Sequence, residues 1–315
     1  MKLKFNWLLI RRWLYRIGII LGLGIFMFQF VRGIQGLLRA PDAIRPVWMI
    51  GALGVLCAVR GLQMSAWWIL MRGFGVNIRQ RDLCENYTLS LLPRYIPGSV
   101  WGYLSRAEWL SRMYSTPIGL TNFISLIEAC LVILSFLIST CLNYLTHSVN
   151  ENFWISLFAI PILLYLPWRL FLWITQTKYS QTIFTRLSIV SENLRIAWKW
   201  WASALALYIL AWFGFGFAMW LLVPGLGLSS TSTWGEHMLL FGIAWLIGFL
   251  ILFVPSGLGV REQTYAILLT SNIGMQTYSA SLLSVVSRGL ILFGEFIWLL
   301  IGLFLHSQTK KVERR

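Results

Sequence analysis

Seven apolar stretches, near residues 13–31, 47–71, 117–142, 153–175, 200–223, 236–254 and 281–305, are each long enough to cross a bilayer as a helix. Backbone in hydrocarbon must satisfy its own N–H and C=O groups, which restricts such a chain to helices packed on helices or to a closed barrel. Stretches of this length are helical. Charged residues make up only 12% of the 315 residues and hydrophobic ones 58%. A soluble domain carries roughly 25% charge, so an ordinary wetted surface is excluded. The expectation is one all-α polytopic membrane domain over residues 1–315, with about six to eight transmembrane helices.

The net charge of +15 does not make a nucleic-acid surface, because the cations sort by loop. Lys2, Lys4, Arg11, Arg12 and Arg16 precede the first stretch, and Arg72, Arg79 and Arg81 follow the second. Lys178, Arg186, Arg195 and Lys199 lie between the fourth and fifth, and Lys310, Lys311, Arg314 and Arg315 close the sequence. Residues 143–152, 224–235 and 273–280 contain no Lys or Arg. By the positive-inside rule both termini are expected in the cytoplasm, with the chain integral to the cytoplasmic (inner) membrane. Arg32, Arg39 and Arg45 fall on an outside loop and run against this pattern. Residues 178–199 read as an amphipathic cytoplasmic connector, with Ile183, Leu187, Val190 and Leu194 at helical spacing.

Two further segments are apolar but broken. LPRYIPGSVWGYLSRAEWL, from Leu92 to Leu110, is echoed by LFVPSGLGVREQTYAIL from Leu252. Each has an apolar residue before Pro (Pro97, Pro255) and a nearby Gly (Gly98, Gly257). A second Gly follows (Gly102, Gly259), then Arg and Glu (Arg106 and Glu108; Arg261 and Glu262). Proline removes a helix donor and glycine permits a turn. The charge pattern has the first hairpin enter and leave from inside and the second from outside. Oppositely oriented re-entrant hairpins in halves of about 1–145 and 153–315 point to an inverted repeat with a transport site at the breaks. Helix ends at such breaks suit anionic groups such as phosphate. Arg94, Arg106, Glu108, Arg261 and Glu262 flank the breaks as candidate binding residues.

Other charges lie inside the apolar stretches: Arg60, Glu128, Arg288 and Glu295. Each costs about 2.5–3.5 kcal/mol or more in a bilayer unless paired or hydrated. Glu128 is the expected partner of Arg60, and Glu262 or Glu295 that of Arg288. Two roles are open to this set: holding a lipid phosphate with proton coupling through a glutamate, or a locked ion-pair core.

Enzyme chemistry is not expected. His147, His237 and His306 sit near stretch ends, no His-Glu-x-x-His motif exists, and no nucleotide-binding loop is present. No cofactor or metal is implied. Cys57, Cys84, Cys130 and Cys141 have no metal or redox spacing.

The stretch VPSGLGVRE, Val254 to Glu262, resembles the P-x-G-x-G-x-R-E signature of the lysylphosphatidylglycerol synthase transmembrane-region family, also described as flippase-like. LPRYIPGSVWGYLSRAEWL resembles that family's first hairpin. Ser256 with Gly257 stands where two glycines are expected. The resemblance implies translocation of an anionic phospholipid or polyprenyl-phosphate-linked lipid between leaflets. Two-domain relatives flip aminoacylated phosphatidylglycerol made by a cytoplasmic synthase domain. With ten residues after the last apolar stretch, a stand-alone translocating domain is expected here. Membrane lipids are then the partners. The alternatives are an accessory subunit for a separate lipid-modifying or glycosyltransferase enzyme, and a small-anion secondary transporter.

Overall fold

The structure, a computed structural model, describes residues 7–38, 44–95, 101–146, 194–251 and 254–313. The described residues form nine helices and no strand. They are α1 (Trp7–Leu38), α2 (Pro46–Gly73), α3 (Gln80–Leu89), α4 (Trp101–Tyr114), α5 (Ile118–Thr146), α6 (Leu194–Gly225), α7 (Trp234–Leu250), α8 (Val260–Ile273) and α9 (Thr277–Glu313). Short 3-10 turns at Pro93–Tyr95 and Pro255–Gly257 interrupt the chain between α3 and α4 and between α7 and α8.

Among the described residues four helices are long and apolar enough to cross a membrane: Pro46–Gly73, Ile118–Tyr144, Lys199–Gly225 and Thr277–Gln308. At 1.5 Å per residue the shortest of them, 27 residues, spans about 40 Å, more than the roughly 30 Å hydrocarbon core. The expected stretches 47–71, 200–223 and 281–305 lie within them, 117–142 does so except for Pro117, and 13–31 lies within α1. Ile20–Gln35 and Trp234–Leu250 are shorter apolar helices. The stretch expected at 236–254 ends early, because α7 stops at Leu250 ahead of the Pro255 turn. The stretch expected at 153–175 and nearly all of the 178–199 connector lie outside the described residues.

Local sequence sets the helix ends. Pro46 occupies the first turn of α2, where its missing N–H is not needed. Thr233 and Glu236 close a capping box at the start of α7. Gly274, left-handed at φ 71°, ends α8.

The polarity of the fold is reversed relative to a soluble protein. Large apolar side chains are exposed on α1, α2 and α9, as with Val47 and Phe304. Charged side chains are buried instead, among them Arg106, Glu128, Glu262, Arg288 and Glu295. Only a hydrocarbon surround makes this distribution favourable, so the chain is an all-α membrane protein.

The element order repeats. A long helix, a helix–turn–helix hairpin and a second long helix occur as α2–α5 and again as α6–α9. Helices α2 and α6 share the most extensive contact in the fold, and the two 3-10 turns touch one another. Each hairpin's second helix packs on the long helix after it, α4 on α5 and α8 on α9. Helix α1 stands outside this scheme and lies against α8, α9 and the second turn. The repeat therefore starts at α2 and α6.

Ser256 stands in the left-handed region at φ 50°, ψ 23°. That conformation costs a non-glycine residue roughly 1–2 kcal/mol. Ser256→Gly is therefore expected to raise stability by up to about 1 kcal/mol after the added unfolded-state entropy of glycine. Thermal unfolding in detergent should show an unchanged or higher midpoint. A clear drop would contradict the turn geometry.

Candidate functional site

The two turns meet over a cavity of about 120 Å3, roughly ten water-sized positions. Every helix except α1 contributes to its wall, as does each turn. Seven charged side chains from five elements converge on it: Arg60, Arg94, Glu128, Arg261, Glu262, Arg288 and Glu295. This convergence brings together residues separated by more than 200 positions in sequence.

Three ion pairs neutralise most of this charge. Arg106 Nη2 donates to Glu128 Oε2 at 2.8 Å, joining α4 to α5. Arg60 on α2 donates to Glu295 on α9. Arg288 Nε on α9 lies 3.3 Å from Glu262 Oε1 on α8. The Tyr95 hydroxyl of the first turn also donates to Glu295, and Tyr208 of α6 donates to Glu128 at 3.3 Å. Arg60 reaches Gln63 with its other nitrogen, at 2.8 Å. Burying these charges is costly unless each finds an opposite charge and a hydrogen bond, so the pairs and tyrosines make the polar interior tolerable.

The expected partners are partly corrected. Glu128 is taken by Arg106 and not by Arg60, which pairs with Glu295 instead. Arg288 takes Glu262, one of its two expected partners. Arg106 was expected to hold a ligand at the break. Its guanidinium instead lies 4.3 Å from the Trp67 ring, 4.9 Å from Tyr103 and 5.1 Å from Tyr87. It is 1% exposed and stands behind Glu128, off the cavity wall. Glu108 is corrected outright: it is exposed and bonded to Arg112 one turn on. Two helix positions past Arg106, it faces the opposite way.

The glycines and prolines divide as well. Gly102 is a packing residue, since a methyl group there would sit 3.0 Å from the Ser90 carbonyl oxygen and 3.5 Å from Arg94 Cβ. Pro255 opens the second turn. Gly257, at φ 67°, lets that turn close on Gly248, and the Arg261 side chain runs against both. Gly259, at φ 80°, contacts α1. Pro97 and Gly98 lie outside the described residues.

Glu262 shows why adjacent Arg and Glu part ways. Its Oε2 accepts from the Gly259 N–H at 2.5 Å, capping its own helix. Its Oε1 turns to Arg288. Arg261 is left on the cavity wall without an ion pair among the described residues, and its Nε is buried with no hydrogen-bond partner there. Arg288 Nη2 is likewise buried and unpartnered among them. Arg94, on the first turn, lines the cavity and makes neither an ion pair nor a side-chain hydrogen bond among the described residues. Glu295 acts on it electrostatically but is already bonded to Arg60 and Tyr95.

Sequence reasoning missed the tyrosines. Tyr87, Tyr103, Tyr208 and Tyr265 line the cavity. Tyr95 and Tyr103 lie within the first broken segment itself, which was the available signal. His237 lies in the first turn of α7. It is fully buried, 2.9 Å from Ser232 Oγ through Nε2 and 3.0 Å from the Tyr265 hydroxyl through Nδ1. This Ser–His–Tyr chain ties the start of α7 to α8. Ser232 and His237 do not line the cavity.

No curated protein and no solved structure matches the chain. A protein-family model does. The broken segment at Pro255 and the paired hairpins fall within the matched residues, 13–298 of 315, which also take in most of the first and last helices. The chain belongs to the family of the lysylphosphatidylglycerol synthase TM region.

Proposed function

We propose that this protein moves an anionic lipid between the leaflets of the cytoplasmic membrane, with the headgroup phosphate held in the cavity between the hairpins. One observation carries the proposal. After three ion pairs are made, Arg94 and Arg261 remain on the cavity wall without an opposing carboxylate among the described residues. Half-buried cations in that state call for an anion. Family membership makes a lipid-related role the expected one. A volume of about 120 Å3 has room for one phosphate with a few waters, with the acyl chains left in the bilayer. Glu128, Glu262 and Glu295 hold the neighbouring arginines in place and supply groups able to carry a proton. The cation distribution along the sequence supports cytoplasmic termini, with the first hairpin opening inward and the second outward. No catalytic step is part of this function.

Lipid retained through purification tests the proposal. Native mass spectrometry of the detergent-extracted protein should show a bound phosphate-bearing lipid that is lost in Arg94→Gln/Arg261→Gln. Equal occupancy in both proteins, or retention of uncharged lipid only, would count against the cavity as the headgroup site.

A further inference from the structure

We propose that the ligand group taken by this cavity carries two negative charges, as a phosphomonoester or a diester of diphosphate does, and not the single charge of a phosphodiester. The inference rests on the proposed lipid function and narrows its substrate class.

The argument is a charge count around one cavity. Five arginines meet there: Arg60, Arg94, Arg106, Arg261 and Arg288. Three glutamates answer them: Glu128, Glu262 and Glu295. Five minus three leaves two positive charges among the described residues. Each glutamate has one arginine within ion-pair distance, so the remainder falls on Arg94 and Arg261. Each hairpin contributes one of the two, Arg94 in the first turn and Arg261 directly after the second. The turns are in contact, and the two arginines line the same cavity. Like charges held together in a low-dielectric interior are unfavourable until a counter-charge of equal size arrives. A monoanion leaves one of them uncompensated; a dianion compensates both.

The donor geometry agrees with the charge. Arg261 Nε and Arg288 Nη2 are buried N–H groups without a hydrogen-bond acceptor among the described residues, and Arg288 is only 5% exposed. With Arg94 this gives donors from the first turn, α8 and α9 around one small volume. A terminal phosphate offers three unsubstituted oxygens to such a set. A phosphodiester offers only two.

Two lipids that differ by one methyl group separate the possibilities. Dioleoyl phosphatidic acid is a dianion at pH 8, above a second phosphate pKa of about 6. Dioleoyl phosphatidylmethanol is a diester of nearly the same size and keeps one charge. Binding of each to the full chain in neutral detergent is read by native mass spectrometry titration, with inorganic phosphate as a third ligand. Phosphatidic acid should bind at least about tenfold more tightly than phosphatidylmethanol. Arg94→Gln and Arg261→Gln should each erase most of that ratio by weakening phosphatidic acid alone. Equal affinity for the two lipids overturns the dianion assignment while leaving lipid binding intact. Inorganic phosphate binding as tightly as phosphatidic acid supports the dianion assignment and overturns the lipid function instead.

Discussion

Arg106→Ala should destabilise the protein by about 3–5 kcal/mol, because it leaves Glu128 buried without its cation. Arg106 is 1% exposed and Glu128 4%, so bulk solvent has little access to the lost bond. The aromatic faces of Trp67, Tyr87 and Tyr103, now stacked on the guanidinium, would line a void in its place. The Asn86 amide, which donates to the Arg106 carbonyl at 3.3 Å, ties α3 to the same position, so the disturbance reaches the whole first hairpin. Chemical or thermal unfolding in detergent measures the loss. Arg106→Met combined with Glu128→Leu should recover most of it, since removing both charges removes the desolvation penalty with the attraction. A single variant as stable as the wild type would mean that the pair is hydrated and not a structural bolt.

Gly259→Ala should cost about 2–6 kcal/mol through two causes that add. The backbone at φ 80°, ψ −45° is strained by roughly 1–3 kcal/mol for any residue with a Cβ. The new methyl would also come within 2.3 Å of the Gly22 carbonyl oxygen and 3.0 Å of the Phe26 nitrogen. Those are backbone atoms of α1 and cannot rotate aside, so overpacking adds about 1–3 kcal/mol. Helix α1 touches the bundle only through α8, α9 and the second turn among its main contacts. The expected result is a lower unfolding midpoint together with faster proteolysis in the α1–α2 connection. A wild-type midpoint would contradict the close approach of α1 to the second turn.

Much of this arrangement was legible in the residues. Apolar length gave the helices, since nothing but self-satisfied backbone is stable in hydrocarbon. The cost of intramembrane charge marked Arg60, Glu128, Arg288 and Glu295 as paired, and each of them is. Which carboxylate each arginine takes was not legible. Arg60 and Glu295 lie 235 residues apart and meet because α2 and α9 pack together, a matter of helix placement that no local pattern encodes. Glu108 was readable by helical period, because two positions after Arg106 is the far face of α4, yet its place in the echoed motif drew it into the site. Glu262 was separable from Arg261 on the same kind of ground, since a glutamate three residues after Gly259 is in position to cap the helix start. The tyrosines escaped notice because hydroxyls matter here only where carboxylates are buried, and burial belongs to the fold.

Transport in reconstituted vesicles tests the central claim most directly. Proteoliposomes containing a lipid with a labelled anionic headgroup report translocation as loss of protection from a membrane-impermeant quencher. The wild-type protein should expose inner-leaflet label well above protein-free vesicles. Arg94→Gln/Arg261→Gln should fall to the protein-free rate while keeping a wild-type unfolding midpoint. Undiminished translocation in a folded double variant would contradict the assignment of the two unpaired arginines as the headgroup site.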